Sequence, residues 1–542
     1  MESNVASHLS EQAKKNPQGD AIRYINKQWN KVLFNRNDVY KSLSFYQLNQ
    51  AVDSVLHLLL LRGIKKGSRV LLMVRPGLDL IQIVFALLKL GAIPIVIDPG
   101  MGLRRFFLAA KQSKVKFILG ETLSLTISQF FLRGGYPLRF ISIGMKFRNS
   151  LKRYIGKIHY DSIPVRKDTL AAILFTSGST GPAKGVYYTH SIFNAQIQLI
   201  KKEYSINSGE VDLPMLAVFA LFNPALGMCT VVPDMNPSKP SALKAKKIVK
   251  SILLNQVTNS FGSPTLWKKV LDYCEKYKCS MPTLKRVIMA GAPAPQDLLI
   301  RLKKFLPNGE IYTPYGATEA LPVSSASAND INYKQVGNYA HGRQGIFVGK
   351  ALSGISIKII EATEEPIKSI ELAIECPTRV IGEIIVSGTN VTQKYDGALN
   401  VNNGSKIRDD GFYWHRMGDM GWLDDESNLW FCGRRAERVR TNSGVLDTVC
   451  CESIFNQLHD ICRTALIEVN GHPALVVEPE KGRFPKSERE KKEFIKRLKN
   501  KAKSDSLTID INEFYFEKSL PVDVRHNAKI HRLSLSRKFS QI

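Results

Sequence analysis

Leu174-Phe-Thr-Ser-Gly-Ser-Thr-Gly-Pro-Ala-Lys-Gly-Val186 decides how the rest of the chain is read. The apolar run Leu170 to Phe175 reads as a buried strand. It stops at Thr176-Ser177-Gly178-Ser179-Thr180-Gly181, where hydroxyls and backbone N–H groups replace bulk. Glycines let the main chain approach an anion, consecutive N–H groups make a concavity for it, and Lys184 supplies the compensating charge. A Walker loop counted from Gly178 needs glycine, lysine and a hydroxyl residue at positions 183 to 185; the chain has Ala183, Lys184 and Gly185. The stretch therefore reads as a phosphate cradle of another type, against the plainer reading of a Gly/Ser turn.

Working outward, the first hundred residues alternate helical and strand patterns, which predicts an α/β sheet with parallel pairing and right-handed crossovers. Ser44 followed by Gln47 is a capping box opening a helix that carries Leu48, Val52, Val55, Leu56 and Leu59, with Gly63 at its end. Val70–Val74 is a strand, Leu80–Leu90 a helix and Ala92–Ile97 a strand closing on Asp98-Pro-Gly-Met-Gly102. The apolar window Leu78–Ile97 is interrupted by Asp79, Gln82, Lys89, Gly91 and Pro94, so it predicts a helix and strand rather than a membrane span. A basic helix is expected over Leu103–Gln112, a strand over Val115–Leu119 and a helix from near Ser191; His190 reads equally as a core histidine or a catalytic one.

Downstream, Thr313-Pro-Tyr-Gly-Ala-Thr-Glu319 combines a flat aromatic, a glycine, a hydroxyl and a carboxylate able to hold Mg²⁺. Trp414-His-Arg-Met-Gly-Asp-Met-Gly-Trp422 sets Asp419 among turn glycines, either to accept ribose hydroxyls or as an ordinary turn aspartate. Ser487 and Glu490 open a strongly basic helix with Phe494, Leu498 and Ala502 on one face.

The 542 residues bound the chain to roughly three or four domain-sized units. A net charge of +28 favours anionic ligands or surfaces without choosing among them, and the plain alternative is lysine-rich solvated faces. No nucleic-acid module is evident, no transmembrane segment is predicted, and peripheral membrane contact stays open. The eight cysteines lack zinc-knuckle or Cys-x-x-Cys spacing and read as reduced thiols. With no apolar leader after Met1, a cytoplasmic location is expected.

Taken together, the blocks at 174–186, 313–319, 414–434 and 520–530 resemble, in order, the adenylate-forming superfamily of acyl-CoA synthetases, peptide-synthetase adenylation domains and luciferases. That resemblance implies an α/β fold: a large multi-subdomain N-terminal adenylating domain with mixed sheets (1–432), a hinge (433–436) and a small mobile α+β C-terminal domain (437–542). It implies ATP and Mg²⁺, with Thr176, Ser177, Gly178, Ser179, Thr180, Gly181 and Lys184 at the triphosphate. Tyr315 and Gly316 fall at adenine, Thr318 at phosphate, Glu319 at the metal, and Asp419 and Arg434 at ribose. Lys529 falls at the catalytic lysine. The acid pocket falls at Phe219, Phe222, Gly291 and Gly316.

A narrower likeness rests on Asp98–Gly102, Phe219–Met228, Val232–Met235, Thr313–Ala320 and Arg525–Ile530. These blocks look like the β-lactone synthetases of bacterial long-chain olefin biosynthesis. The resemblance implies a long-chain 3-hydroxy acid, an acyl-adenylate and closure to a β-lactone, with other enzymes of a lipid pathway as partners. A fatty acyl-CoA ligase using CoA, or an acyl-AMP ligase, is the alternative; a non-catalytic basic scaffold is the remote one. Two departures from ordinary acyl-CoA synthetases favour the lactone: no histidine near Phe219, and no proline in Thr441–Val449 before Glu452.

Overall fold

The computed structural model describes residues 4–25, 40–132, 138–176, 183–236, 240–332, 334, 345–397, 404–441, 444–523 and 529–541. Helix α1 (Ser7–Lys15) and strands β1 (Asp20–Ile25) and β2 (Tyr40–Ser44) lead into α2 (Phe45–Leu61). The Ser44 hydroxyl accepts from Gln47 N at 3.3 Å and the Gln47 side chain accepts from Ser44 N at 3.0 Å, so the reciprocal capping box is formed.

A six-stranded sheet follows from β3 (Arg69–Met73), β4 (Ile93–Ile97), β5 (Phe117–Gly120), β6 (Arg139–Ser142), β7 (Leu170–Thr176) and β8 (Lys184–Thr189), in the order β6-β5-β3-β4-β7-β8. All its pairs are parallel except β7 with β8. Its strands are covered on both faces, which explains their unbroken apolar runs. Val70, Leu72, Phe117 and Leu119 point to one core, which α2, α3 (Leu78–Leu90) and α6 (Met145–Lys152) also line. Leu71, Ile95, Ile118 and Ile173 point to the other, under α4 (Leu103–Gln112) and α5 (Thr122–Phe131). The Lys89 charge that breaks the apolar window is buried and paired with Asp53 at 2.5 Å.

The large sheet has fourteen strands. They are β1, β2, β9 (Val211–Asp212), β10 (Cys229–Val231), β11 (Asn259–Gly262), β12 (Arg286–Met289), β13 (Glu310–Ala317), β14 (Ala320–Ser327), β15 (Ile346–Ala351), β16 (Ile355–Ile360), β17 (Gly382–Gly388), β18 (Lys406–Asp409), β19 (Phe412–Leu423) and β20 (Asn428–Arg434). Its path runs β16-β17-β19-β20-β15-β14-β13-β12-β11-β9-β10-β1-β2, with β18 on β19. The stretch β13-β12-β11-β9-β10-β1 is parallel and the half beyond β13 antiparallel, so the sheet is mixed.

After β20 come a short hairpin, β21 (Val439–Thr441) and β22 (Gly444–Leu446), and a three-stranded sheet of β23 (Ile461–Val469), β24 (His472–Pro479) and β25 (Glu513–Phe516). The helix Glu488–Lys503 buries Phe494, Leu498 and Ala502 against this sheet. Its Ser487 cap accepts from Glu490 N at 3.2 Å, but Glu490 reaches back to Lys486 N, one residue earlier than the sequence box predicts. All eight cysteines are free thiols.

Helix α7 (His190–Glu203) begins at a buried histidine whose Nδ1 accepts from Val5 N at 3.2 Å. Burial pushes this imidazole down to about 4, so the unfolded chain takes its proton first. The stability that a neutral His190 contributes is full above the unfolded value of 6.5 and is lost as pH falls through 6.5 towards 4, by up to about 3 kcal/mol. Urea unfolding at neutral pH and near pH ~5 is expected to show wild type losing stability that His190→Asn keeps. Equal losses would contradict this role for the histidine.

Candidate active site

The segment Val391–Asp396 stitches the six-stranded sheet to the large one. Ala320 bridges to Val391 and Val186 to Tyr395; Thr392 N donates to Glu319 O at 2.8 Å and Asp396 N to Gly185 O at 2.7 Å. The Asp396 carboxylate is gripped by Arg69 at 3.0 and 3.1 Å and by the Ser113 hydroxyl at 2.7 Å. These bonds bring the β7–β8 hairpin, with Lys184 at the start of β8, beside the β13–β14 turn that carries Thr318 and Glu319. From the same side, the buried Tyr188 hydroxyl donates to Thr318 O at 2.5 Å, and Gln196 Nε2 on α7 donates to Leu321 O at 2.9 Å.

Around Glu319 the polar groups interlock. The Tyr395 hydroxyl donates to Glu319 Oε1 at 2.9 Å, and Tyr395's ring lies 5.6 Å from Lys184 Nζ and 5.8 Å from Lys406 Nζ. Lys406 is buried on β18, donates to Thr392 O, and stands opposite the buried His415 of β19. Burial lowers the Lys406 ammonium to about 7 against the pull of Glu319. Burial, helped by Lys406, Lys184 and Arg434, keeps His415 well below the usual imidazole range.

A second group forms where β13, β19 and β20 meet. Asp419 and Arg434 are register partners, with Arg434 Nη1 2.9 Å from Asp419 Oδ1. The Tyr315 hydroxyl donates to Asp419 Oδ2 at 2.7 Å. Asp419 is buried, yet its Oδ1 accepts no directed hydrogen bond among the described residues, an oxygen fitted to an incoming hydroxyl. Burial raises the Asp419 carboxyl, opposed by Arg434, the Tyr315 bond and Lys529. Lys529, on the far side of β20 in sequence, is thus near enough for its charge to act on this carboxylate. Its backbone is pinned: Lys529 N donates to Asp523 Oδ1 at 2.8 Å, Asp523 N donates to Lys529 O at 3.0 Å, and Val522 bridges to Ile530.

Of the residues singled out in the sequence, Lys184, Thr318 and Glu319 form one cluster and Tyr315, Asp419 and Arg434 the adjoining one, with Lys529 close enough for its charge to reach Asp419. Thr176 ends β7, whereas Ser177, Gly178, Ser179, Thr180 and Gly181 lie outside the described residues. Phe219 stacks on Phe261 with centroids 3.6 Å apart and lies 6.3 Å from Phe222, which leads through Phe193 to Tyr188. Next to this aromatic run a small apolar recess, with a cavity volume of about 30 Å³, is lined by Leu80, Ile81, Met215, Ala220, Val232 and Met235, among others. Gly291 has φ +98°, which favours glycine. At Gly316 a Cβ would meet the Ala320 carbonyl at 2.5 Å, so the turn itself demands glycine there. Tyr395 and Lys406 carry no local motif; their partnership with Glu319 exists only through the stitching segment.

A lone carboxylate with phosphate-binding groups beside it suits Mg²⁺, which takes one or two carboxylates and completes its shell with water and phosphate oxygens. Among the described residues no cluster of three or more acidic, histidine or cysteine groups forms a protein-only metal cage.

These features define an adenylate-forming enzyme. Residues 9–396 match the AMP-binding enzyme family, and the chain belongs to it. It is 33% identical over 98% of its length to 97% of an olefin β-lactone synthetase from Stenotrophomonas maltophilia. It is also 32% identical, over 91% of its length, to 90% of an olefin β-lactone synthetase from Xanthomonas campestris pv. campestris. In fold it resembles o-succinylbenzoate CoA synthetase from Bacillus subtilis solved with its acyl-adenylate, with TM-score 0.76, 19% identity and 97% of each chain covered. The same synthetase with ATP and magnesium ion gives TM-score 0.74 and 18% identity, covering 97% of this chain and 98% of that one. Among the described residues no helix is long and apolar enough to cross a membrane.

Proposed function

We propose that this enzyme uses Mg·ATP to convert a long-chain 3-hydroxy carboxylic acid to its acyl-adenylate with release of pyrophosphate, and that the substrate's own hydroxyl then closes a β-lactone with AMP as leaving group. The observation that supports the first step is the buried Asp419–Arg434–Tyr315 group, whose Asp419 Oδ1 accepts no directed hydrogen bond among the described residues, beside the Glu319–Tyr395 pair. In this reading Asp419 Oδ1 and Arg434 hold the ribose, Tyr315 lies against the adenine, and Thr318 and the Thr176–Lys184 loop hold phosphate oxygens. Glu319, steadied by Tyr395, would hold Mg²⁺, which neutralises phosphate charge when bound.

Lys529 sits between the α-phosphate and the attacking carboxylate. Its ammonium is worth most when the phosphorus carries extra negative charge, so it stabilises the transition state more than the bound substrate. The remaining residues act by positioning. The apolar character of the Phe219–Phe222 run, with Met215, Val232 and Met235 beside it, supports an apolar acid.

The lactone step is supported by the near full-length likeness to two olefin β-lactone synthetases. A strained ring does not form from a free carboxylate, so activation must come first, and an intramolecular hydroxyl then needs no thiol site. Pyrophosphate release from ATP is expected with long-chain 3-hydroxy acids and Mg²⁺; no release with any carboxylic acid would overturn the adenylation reading.

A further inference from the structure

The outer layer of the six-stranded sheet carries an unusual surface. Helix α5 reads Thr-Leu-Ser-Leu-Thr-Ile-Ser-Gln-Phe-Phe and has no charged residue, in a chain whose net charge is +28. One face, Leu125 and Ser128, is buried on the sheet. Leu123 and Phe130, seven residues apart, lie on a second face and are 72% and 71% exposed, while Ile127 between them is half-buried against the same core. A helix with two apolar faces has packed only one of them.

The neighbouring α4 is locked alongside: Phe107 stacks on Phe131 with centroids 4.9 Å apart. Its outer face runs Arg104, Leu108, Lys111 at helical spacing, all exposed, and Arg105, Lys114 and Lys116 add three more exposed cations. Between residues 99 and 132 Glu121 is the only acid, and it is already paired with Arg75 at 3.2 Å. Scattered exposed leucines need no explanation, but an uncharged apolar stripe beside five exposed cations that have no acidic partner among the described residues is a surface of defined chemistry.

We propose that α4 and α5 form a docking face for an anionic lipid bilayer. Leucine and phenylalanine side chains enter the headgroup boundary while arginines and lysines meet lipid phosphates, the pattern of helices that lie on a membrane without crossing it. Charge complementarity selects this occupant. A second copy meeting the first through the same face would bring like charges together across a two-fold axis. This surface does not depend on which product the active site makes.

Flotation of the full chain with vesicles tests the proposal. Wild type is expected to float with phosphatidylcholine vesicles containing phosphatidylglycerol, less in high salt, and hardly at all with phosphatidylcholine alone. Leu123→Ser/Phe130→Ser and Arg104→Glu/Lys111→Glu should each weaken binding about tenfold while leaving ATP-dependent pyrophosphate release with a water-soluble acid unchanged. Three results would overturn it. They are wild-type failure to bind anionic vesicles, binding equal in wild type and both variants, and vesicle-independent self-association or binding to an acidic protein abolished by the same substitutions without any lipid binding.

Discussion

Replacing Lys529 with alanine is expected to lower the rate of pyrophosphate release by roughly a hundredfold to a thousandfold while leaving the folded state intact. The size follows from where the charge sits. Lys529 acts electrostatically on Asp419, beside the group read as the nucleotide's ribose site, and a preorganised cation at a point of developing charge counts for far more there than in water. The side chain is exposed, and exposed substitutions usually change stability by no more than about 0.5 kcal/mol. Stopped-time assays of pyrophosphate, paired with thermal unfolding, separate the two effects. Near-normal turnover with an unchanged melting point would remove Lys529 from the mechanism.

The second large effect is structural and reaches the same lysine. Arg532, three residues on, is buried between two carboxylates: its Nη2 and Nε lie 2.7 and 2.9 Å from Glu452, and its Nη1 lies 2.6 Å from Glu437. Glu452 also accepts from Leu466 N at 2.7 Å, tying the helix Thr448–Phe455 to β23. Removing the guanidinium strands two buried acids, which costs about 3–5 kcal/mol. Arg532→Met is therefore expected to lower unfolding stability by that amount. Because the Lys529 backbone adjoins this anchor, it should also slow pyrophosphate release well below the melting temperature. Loss of stability with full activity would show that the hydrogen bonds between Asp523 and Lys529 position the lysine unaided.

Local patterns carried much of the fold. The Ser44 box, the helix Leu103–Gln112 and the apolar runs of the six-stranded sheet follow from spacing and composition, because caps and periodicity act over a few residues. Glu319, Asp419, Arg434 and Lys529 stood out because each sits in a compact block of chemically suggestive residues. Tyr395 and Lys406 did not. Their significance depends on the segment Val391–Asp396 crossing between two sheets, and nothing in residues 391–406 announces where Glu319 will lie. Gly316 carries a demand that spacing does not announce: a Cβ there would meet the Ala320 carbonyl across the turn. The Ser487 box shows a smaller departure, since the backward bond from Glu490 depends on how Lys486 enters the helix.

The reaction proposed here differs from thioester formation in one requirement: the nucleophile of the second step is already part of the substrate. Mass spectrometry of the products formed from a long-chain 3-hydroxy acid, ATP and Mg²⁺, with and without CoA, tests this most directly. The expected result is a neutral product lighter than the acid by one water, together with AMP, in equal yield whether or not CoA is added. A thioester that appears only with CoA, with nothing but adenylate or unchanged acid in its absence, would contradict it.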